Sequence, residues 1–114
     1  MISFACKQIH FKDLLHCSFN LNKTEYDLFT FLLTKDESLC VSTIGEMTGK
    51  DRTTVQKAIK KLIFQDLVLK HQVNLENGGY TFVYKIKDKE VLRNKMLDIV
   101  QTWHTQVVNS VKNW

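Results

Sequence analysis

Proline is absent from the 114-residue chain, and glycine stands only at positions 45, 49, 78 and 79. Most of the chain therefore lacks the residues that interrupt helices, and a largely helical protein follows. Gly49 and the Gly78-Gly79 pair fall where the hydrophobic pattern changes, so they mark turns between elements.

Helical segments can be placed from their caps and apolar spacing. Phe11 to Phe19 can form a short helix with Leu14, Leu15 and Phe11 on its apolar side. Asn22-Lys23-Thr24-Glu25 has a capping residue followed three positions later by glutamate, so a helix should run from about Lys23 to Thr34. Its Tyr26, Phe29, Leu32 and Leu33 recur at the spacing of a buried stripe, which Leu28 and Phe31 widen. After the polar break Lys35 to Ser38, a short helix can begin around Val41 to Thr43, with Thr43 and Glu46 in capping-box spacing and Ile44 and Met47 facing inward. Gly49 supplies a left-handed stop, and Asp51 can cap a further helix over about residues 51–64.

Within that helix Val55, Ala58, Ile59 and Leu62 fall at i, i+3, i+4 and i+7 and define one inward stripe. Thr53, Gln56, Lys57 and Lys60 project away from it. Phe64 falls opposite the stripe and needs cover from the neighbouring strand or a partner subunit. Two helices joined by a short glycine-containing turn make a helix-turn-helix, whose second helix can enter a DNA major groove.

Past Asp66 the pattern becomes extended. Val68 to Val73 and Tyr80 to Ile86 are rich in β-branched and aromatic residues, and Asn74 to Gly79 supplies turn chemistry, so a β-hairpin follows as a wing. Asp88 can cap a final helix to about Lys112. Leu92, Met96, Ile99, Trp103, Val107 and Trp114 fall on one side of it at a spacing near 3.5, interrupted by Ser110. At about 1.5 Å per residue such a helix spans roughly 37 Å, longer than a small domain covers alone, so a second copy of the chain is expected against it.

Charge is concentrated. The chain carries a formal +4; residues 50 to 70 hold six basic residues (Lys50, Arg52, Lys57, Lys60, Lys61, Lys70) against Asp51 and Asp66, which equals the whole excess. With 44% hydrophobic residues the length suits one domain over 1–114, with a core at about 21–87 and with 1–20 and about 88–113 available for dimerisation. Apolar runs such as Leu62 to Phe64 fall far short of the roughly 18 residues a membrane span needs, and the N-terminus lacks a secretory pattern. A cytoplasmic protein without a membrane partner is expected.

In this order, NLNKTEYDLFTFLL, VSTIGEMTGKDRTTVQKAIKKLIFQDLV, VNLENGGYTFVYKI and the long helix, about Leu21 to Trp114, resemble small archaeal-type winged-helix transcription regulators of the MarR and TrmB-like families. The resemblance implies an α+β fold that is mainly α: a winged helix-turn-helix with a hairpin wing around Asn74, Asn77, Gly78 and Gly79 and a long C-terminal dimerisation helix. DRTTVQKAIKKL is similar to the family's recognition helix. Two departures stand out: Asp66 occupies the helix exit where the family usually has glycine, and Glu76 is the only charge in a wing turn that often carries arginine. No ligand-sensing domain is expected after the DNA-binding unit.

The function expected is sequence-specific binding of double-stranded DNA by a homodimer on a palindromic operator. Lys50, Arg52, Lys57, Lys60 and Lys61 would mostly meet phosphates, while Thr53, Thr54, Gln56 and Lys57 lie nearer the base edges, where Gln can pair with adenine and a Thr methyl can touch thymine. Competing readings are a winged-helix protein-interaction module and a thiol- or metal-responsive sensor. The three cysteines, Cys6, Cys17 and Cys40, are odd in number and suit reduced thiols. Cys6, His10, His16 and Cys17 are the only metal candidates, and they make no compact four-ligand set. No nucleophile and base constellation and no phosphate-binding glycine loop is present, so neither an enzyme nor a cofactor is expected, and the sequence names no small-molecule effector.

Overall fold

The computed structural model describes residues 1–114. In chain order its elements are β1 (Ile2–Phe4), β2 (Lys7–Ile9), α1 (Phe11–Phe19), α2 (Lys23–Leu33), α3 (Val41–Thr48), α4 (Arg52–Phe64), β3 (Val68–Asn74), β4 (Tyr80–Ile86) and α5 (Lys89–Lys112). They fall into two units, one of residues 22–87 and one formed by residues 1–21 with 88–114.

The 22–87 unit starts at the expected capping box. The Asn22 side chain accepts the Glu25 amide at 2.8 Å, and the Glu25 carboxylate accepts the Asn22 amide at 2.9 Å. The helix so started buries Leu28, Phe29 and Leu32, whereas Leu33 is partly exposed. Against it pack α4 and, through α4, α3. Val55, Ala58, Ile59 and Leu62 are all buried, and each large apolar side chain so placed contributes about 1.5–3 kcal/mol. Strands β3 and β4 pair antiparallel from Val68↔Ile86 to Asn74↔Tyr80. Leu39 then clamps β4 to the segment before α3, with its amide bonded to the Tyr84 carbonyl at 2.9 Å and the Tyr84 amide bonded back at 2.8 Å. This is the winged helix-turn-helix that the sequence pattern implies.

The turn between α3 and α4 is tight. Gly49 ends α3 in the left-handed region at φ 71°, and the Lys50 amide reaches back to the Gly45 carbonyl at 3.1 Å. A Cβ on Gly45 would sit 2.9 Å from the Lys50 carbonyl oxygen. Asp51 then opens α4, its carboxylate accepting the Thr54 amide at 2.7 Å. At the other end the Leu67 amide bonds to the Leu62 carbonyl and the Asp66 amide to Ile63, both at 2.9 Å, with Asp66 at φ 62°. These two bonds make a Schellman stop with aspartate where glycine is usual. The Asp66 carboxylate pairs with the Lys87 ammonium, and the Lys87 amide bonds to the Leu67 carbonyl at 3.0 Å, so the exit of α4 is tied to the end of the hairpin.

In the other unit α1 packs on α5, and Phe19, Leu21 and Leu92 are buried. Asp88 caps α5 by accepting the Glu90 amide at 3.0 Å. Strands β1 and β2 form a second hairpin, in register Ile2↔Ile9 to Phe4↔Lys7.

Several local expectations need correction. The N-cap of α3 is Cys40, so Thr43 lies inside the helix and makes no capping box with the exposed Glu46. Met47 and Phe11 are exposed rather than inward. In α3 the residues fully buried are Ile44 and Gly45, and Val41, Thr43 and Thr48 are half-buried, so the packed side of the helix leaves Met47 outside. Phe64 remains 82% exposed, so the strand that follows does not cover it. The N-terminal hairpin was not expected from the sequence.

Alanine at an open helical position gains about 1 kcal/mol over glycine. At Gly45 the crowding against a backbone oxygen, about 1–3 kcal/mol by analogy with overpacked sites, opposes that gain. Gly45→Ala is expected to lower the unfolding free energy by roughly 1 kcal/mol, read from the urea midpoint; a more stable variant would show that the turn has slack.

Candidate nucleic-acid interface

The inward stripe of α4 fixes what the helix shows to solvent. With Val55, Ala58, Ile59 and Leu62 buried, Thr53, Gln56, Lys57 and Lys60 are exposed along the opposite side, and Arg52 is exposed at its start. Thr54 and Lys61 flank this face and are half-buried. The Thr54 amide is already taken up by Asp51. The eight basic and polar residues expected to form the site therefore separate into an exposed row of five (Arg52, Thr53, Gln56, Lys57, Lys60) and three at its margins (Lys50, Thr54, Lys61).

Ion pairing sets Lys50 apart from the other cations. Three lysines of the 22–87 unit pair with carboxylates: Lys50 with Asp27 at 4.0 Å, Lys85 with Asp36 at 3.6 Å, and Lys87 with Asp66. Arg52, Lys57, Lys60 and Lys61 make no ion pair. Such surface pairs are worth only about 0–1 kcal/mol each, but they neutralise charge locally. Arg52, Lys57 and Lys60 have no such partner and give the exposed face of α4 a positive potential.

In the wing, Asn74 and Asn77 are exposed, and Gly78 and Gly79 take φ 89° and 79° in a turn closed by the Leu75 amide on the Gly79 carbonyl at 3.1 Å. Glu76 at the tip is exposed. Positive charge appears instead on the strands, where the Lys70 ammonium lies 4.1 Å from the centroid of the Phe82 ring. Phe82 in turn meets Tyr80 edge-on, with centroids 5.5 Å apart and planes at 72°. Sequence reasoning counted Lys70 only as charge. The signal that could have found this cluster was the hairpin register, which sets Lys70 opposite Tyr84 and diagonal to Phe82.

The remaining candidates are dispersed. Cys6 is exposed in the turn of the first hairpin, His10 is the N-cap of α1, and His16 and Cys17 are consecutive within α1. The His16 Nδ1 lies 3.1 Å from the Leu21 carbonyl oxygen. No three His, Cys, Asp or Glu side chains meet as a possible metal set. Cys40 lies 3.2 Å from the Thr43 hydroxyl, and this hydrogen bond, with the Thr43 amide, holds its thiol below the usual range. Along α5, Leu92 is buried and Met96 half-buried, whereas Ile99, Trp103, Val107 and Trp114 are exposed, Trp103 by 55%. No helix is long and apolar enough to cross a membrane.

Comparison with known proteins adds a family. The model described as sugar-specific transcriptional regulator TrmB matches residues 15–90. An uncharacterized protein of Methanocaldococcus jannaschii is 31% identical over 108 residues, covering 95% of this chain and 85% of that protein. The solved structure of a protein from Methanosarcina mazei, described as a possible transcriptional regulator, superposes with a TM-score of 0.92 at 33% identity, covering 100% of this chain and 96% of that one. A MarR-family transcriptional regulator from Silicibacter pomeroyi shares the fold, with a TM-score of 0.51 at 14% identity, over 85% of this chain and 66% of that one.

The start of α4 carries a pH signature. Hydrogen bonds from the Thr54 hydroxyl and amide, with a smaller attraction from Lys57, hold the Asp51 carboxyl below the 3.8 of a free carboxyl. A carboxyl depressed in the folded state adds stability at pH values above its unfolded pKa and loses it as pH falls through the folded one. Asparagine caps about as well as aspartate but does not titrate. Native protein and the Asp51→Asn variant are therefore expected to unfold at similar urea concentrations at neutral pH. As pH falls below 3.8, the native midpoint should drop further than the variant's; parallel pH profiles would show that the cap is not coupled to this carboxyl.

Proposed function

The chain belongs to the TrmB family of transcriptional regulators and is a winged helix, and from that premise we propose that it binds double-stranded DNA sequence-specifically as a homodimer. In this reading α4 enters the major groove at each half of a palindromic operator, and the protein works in the cytoplasm alongside that DNA. The observation that carries the proposal is the exposed, unpaired row Arg52, Lys57 and Lys60 with Thr53 and Gln56 between them, directly opposite the buried stripe. The lysines and Arg52 meet phosphates and set the register. Gln56, at the middle of the row, is the best-placed side chain for a bidentate contact with adenine, and the Thr53 methyl for thymine.

Dimerisation is proposed through α5. Its 24 residues span about 36 Å, and Ile99, Trp103, Val107 and Trp114 are apolar side chains left in solvent along it. Helix-turn-helix dimers bind half-sites one DNA turn, roughly 34–36 Å, or a multiple of it apart. That spacing matches a palindrome.

The test is duplex binding at two salt concentrations. Lys57→Ala combined with Lys60→Ala should weaken binding to every duplex and flatten the salt dependence by roughly two units of slope, whereas Gln56→Ala should cost on the order of 1–3 kcal/mol of sequence preference. Unchanged affinity and slope in the double variant would remove α4 from the interface. For the dimer, deletion of residues 101–114 should yield monomers by light scattering; persistent dimers would place the interface elsewhere.

A further inference from the structure

The wing of this chain carries its charge in an unusual place. Its turn offers only Glu76, while Lys70 sits on the strand face that begins in the core. Side chains opposite one another in an antiparallel pair share a face, so Val68, Lys70, Gln72 and Asn74 stand with Ile86, Tyr84, Phe82 and Tyr80. Along that face burial declines towards the tip: Val68 and Tyr84 are buried, Phe82 is half-buried, and Tyr80 is 60% exposed. The face that anchors the hairpin thus continues past the core as an overhang bearing an ammonium, two amides and a phenol.

Lys70 is not a loose surface lysine. Its ammonium lies 4.1 Å from the Phe82 ring centroid, and the Phe82 ring is braced edge-on by Tyr80. A cation over a ring face is held by the ring's quadrupole while keeping its N–H donors for another acceptor. No carboxylate pairs with Lys70, in contrast to Lys85 and Lys87 further along the same hairpin. The arrangement leaves a positioned, unneutralised cation beside Gln72, which lies directly across from Phe82.

We propose that this overhang, with Lys70 held by Phe82 and flanked by Gln72 and Tyr80, is a phosphate-binding face through which the wing grips the DNA backbone, and that the acidic tip at Glu76 stays out of the groove. The inference rests on the duplex-binding reading of α4 and adds a second contact to it. Lys70 is the contacting residue. Phe82 is a positioning residue that acts through it.

The experiment measures full-length protein on a random-sequence 30-base-pair duplex by fluorescence anisotropy across a salt series, roughly 50 to 200 mM. Lys70→Ala should weaken binding about three- to tenfold and reduce the salt slope by about one unit, as for the loss of one phosphate contact. Phe82→Leu should lose affinity about threefold while keeping the slope, because the cation is present but no longer held. Phe82→Tyr, which keeps the ring face, should restore binding. Glu76→Gln should change affinity less than about twofold, since an exposed charge beyond a Debye length is screened. Melting temperatures of all four variants distinguish binding losses from unfolding. An unchanged slope in Lys70→Ala, while Lys57→Ala with Lys60→Ala flattens it, would overturn the wing contact and leave the α4 reading standing. A large gain in Glu76→Gln would place the tip in the groove and overturn it as well. If neither the α4 nor the Lys70 variants move the slope, the phosphate contacts lie elsewhere on the protein, and the α4 reading and the wing proposal fall together.

Discussion

The approach of the Gly45 Cα to the Lys50 carbonyl oxygen is the constraint on which the rest of the 22–87 unit depends. A Cβ there would meet backbone at 2.9 Å, so glycine lets α3 turn back and the Lys50 amide reach the Gly45 carbonyl without displacing either. That closure sets where Asp51 stands, Asp51 sets where α4 begins, and the first residue of α4 sets the phase of everything after it. Shifting the start by one residue would rotate the helix by about 100°. Val55 and Leu62 would leave the core, and the exposed row would no longer be Thr53, Gln56, Lys57 and Lys60. A steric fact at one Cα therefore decides which side chains face a partner.

The far end of α4 is fixed with equal economy by different chemistry. Aspartate in the left-handed region carries a steric cost of roughly 1–2 kcal/mol that glycine would not. Asp66 accepts it and gains a carboxylate that pairs with Lys87, whose amide is bonded to the neighbouring Leu67 carbonyl. The hairpin is thus keyed to the helix exit by one side-chain pair and one backbone bond. Further out, the same strands change character: towards the core their lysines are neutralised by Asp36 and Asp66, and beyond it Lys70 is held by an aromatic ring.

How much of this was legible in the sequence follows from the range of each interaction. The stripe on α4, the capping box at Asn22 and the strands of the wing depend on residues within a turn or two of one another, and they are where the pattern placed them. The N-terminal hairpin was not legible because its turn, Ala5-Cys6, has neither glycine nor asparagine, and neither residue takes positive φ, so the usual two-residue hairpin signal is missing. Asp66 read as a departure from a glycine position because residue type alone does not reveal that aspartate can take the left-handed conformation and be compensated by a lysine 21 residues away. The Lys70 and Phe82 contact needed the hairpin register, and the Lys50 and Asp27 pair needed the packing of α2 on α4. Both are tertiary facts.

The composition of the α4 row bears on what a second subunit would add under the duplex-binding reading. Its cations are mostly lysines, which are compact point charges suited to phosphates and less suited than arginine to planar, bidentate reading of a base. That leaves Gln56 and Thr53 as the neutral groups within the exposed row, and each good base contact discriminates by about 1–3 kcal/mol. Specific DNA binding commonly exceeds non-specific binding by roughly 4–10 kcal/mol. Under the duplex-binding reading, one copy of this helix reaches the lower end of that range at best, because most of its affinity is electrostatic and indifferent to sequence. Two copies on a palindrome double the base contacts without adding a residue to the reading face. On the dimeric reading, the sparse reading set on α4 and the apolar residues exposed along α5 would belong to one arrangement, in which the short helix supplies charge and the pairing of two copies supplies the added base contacts.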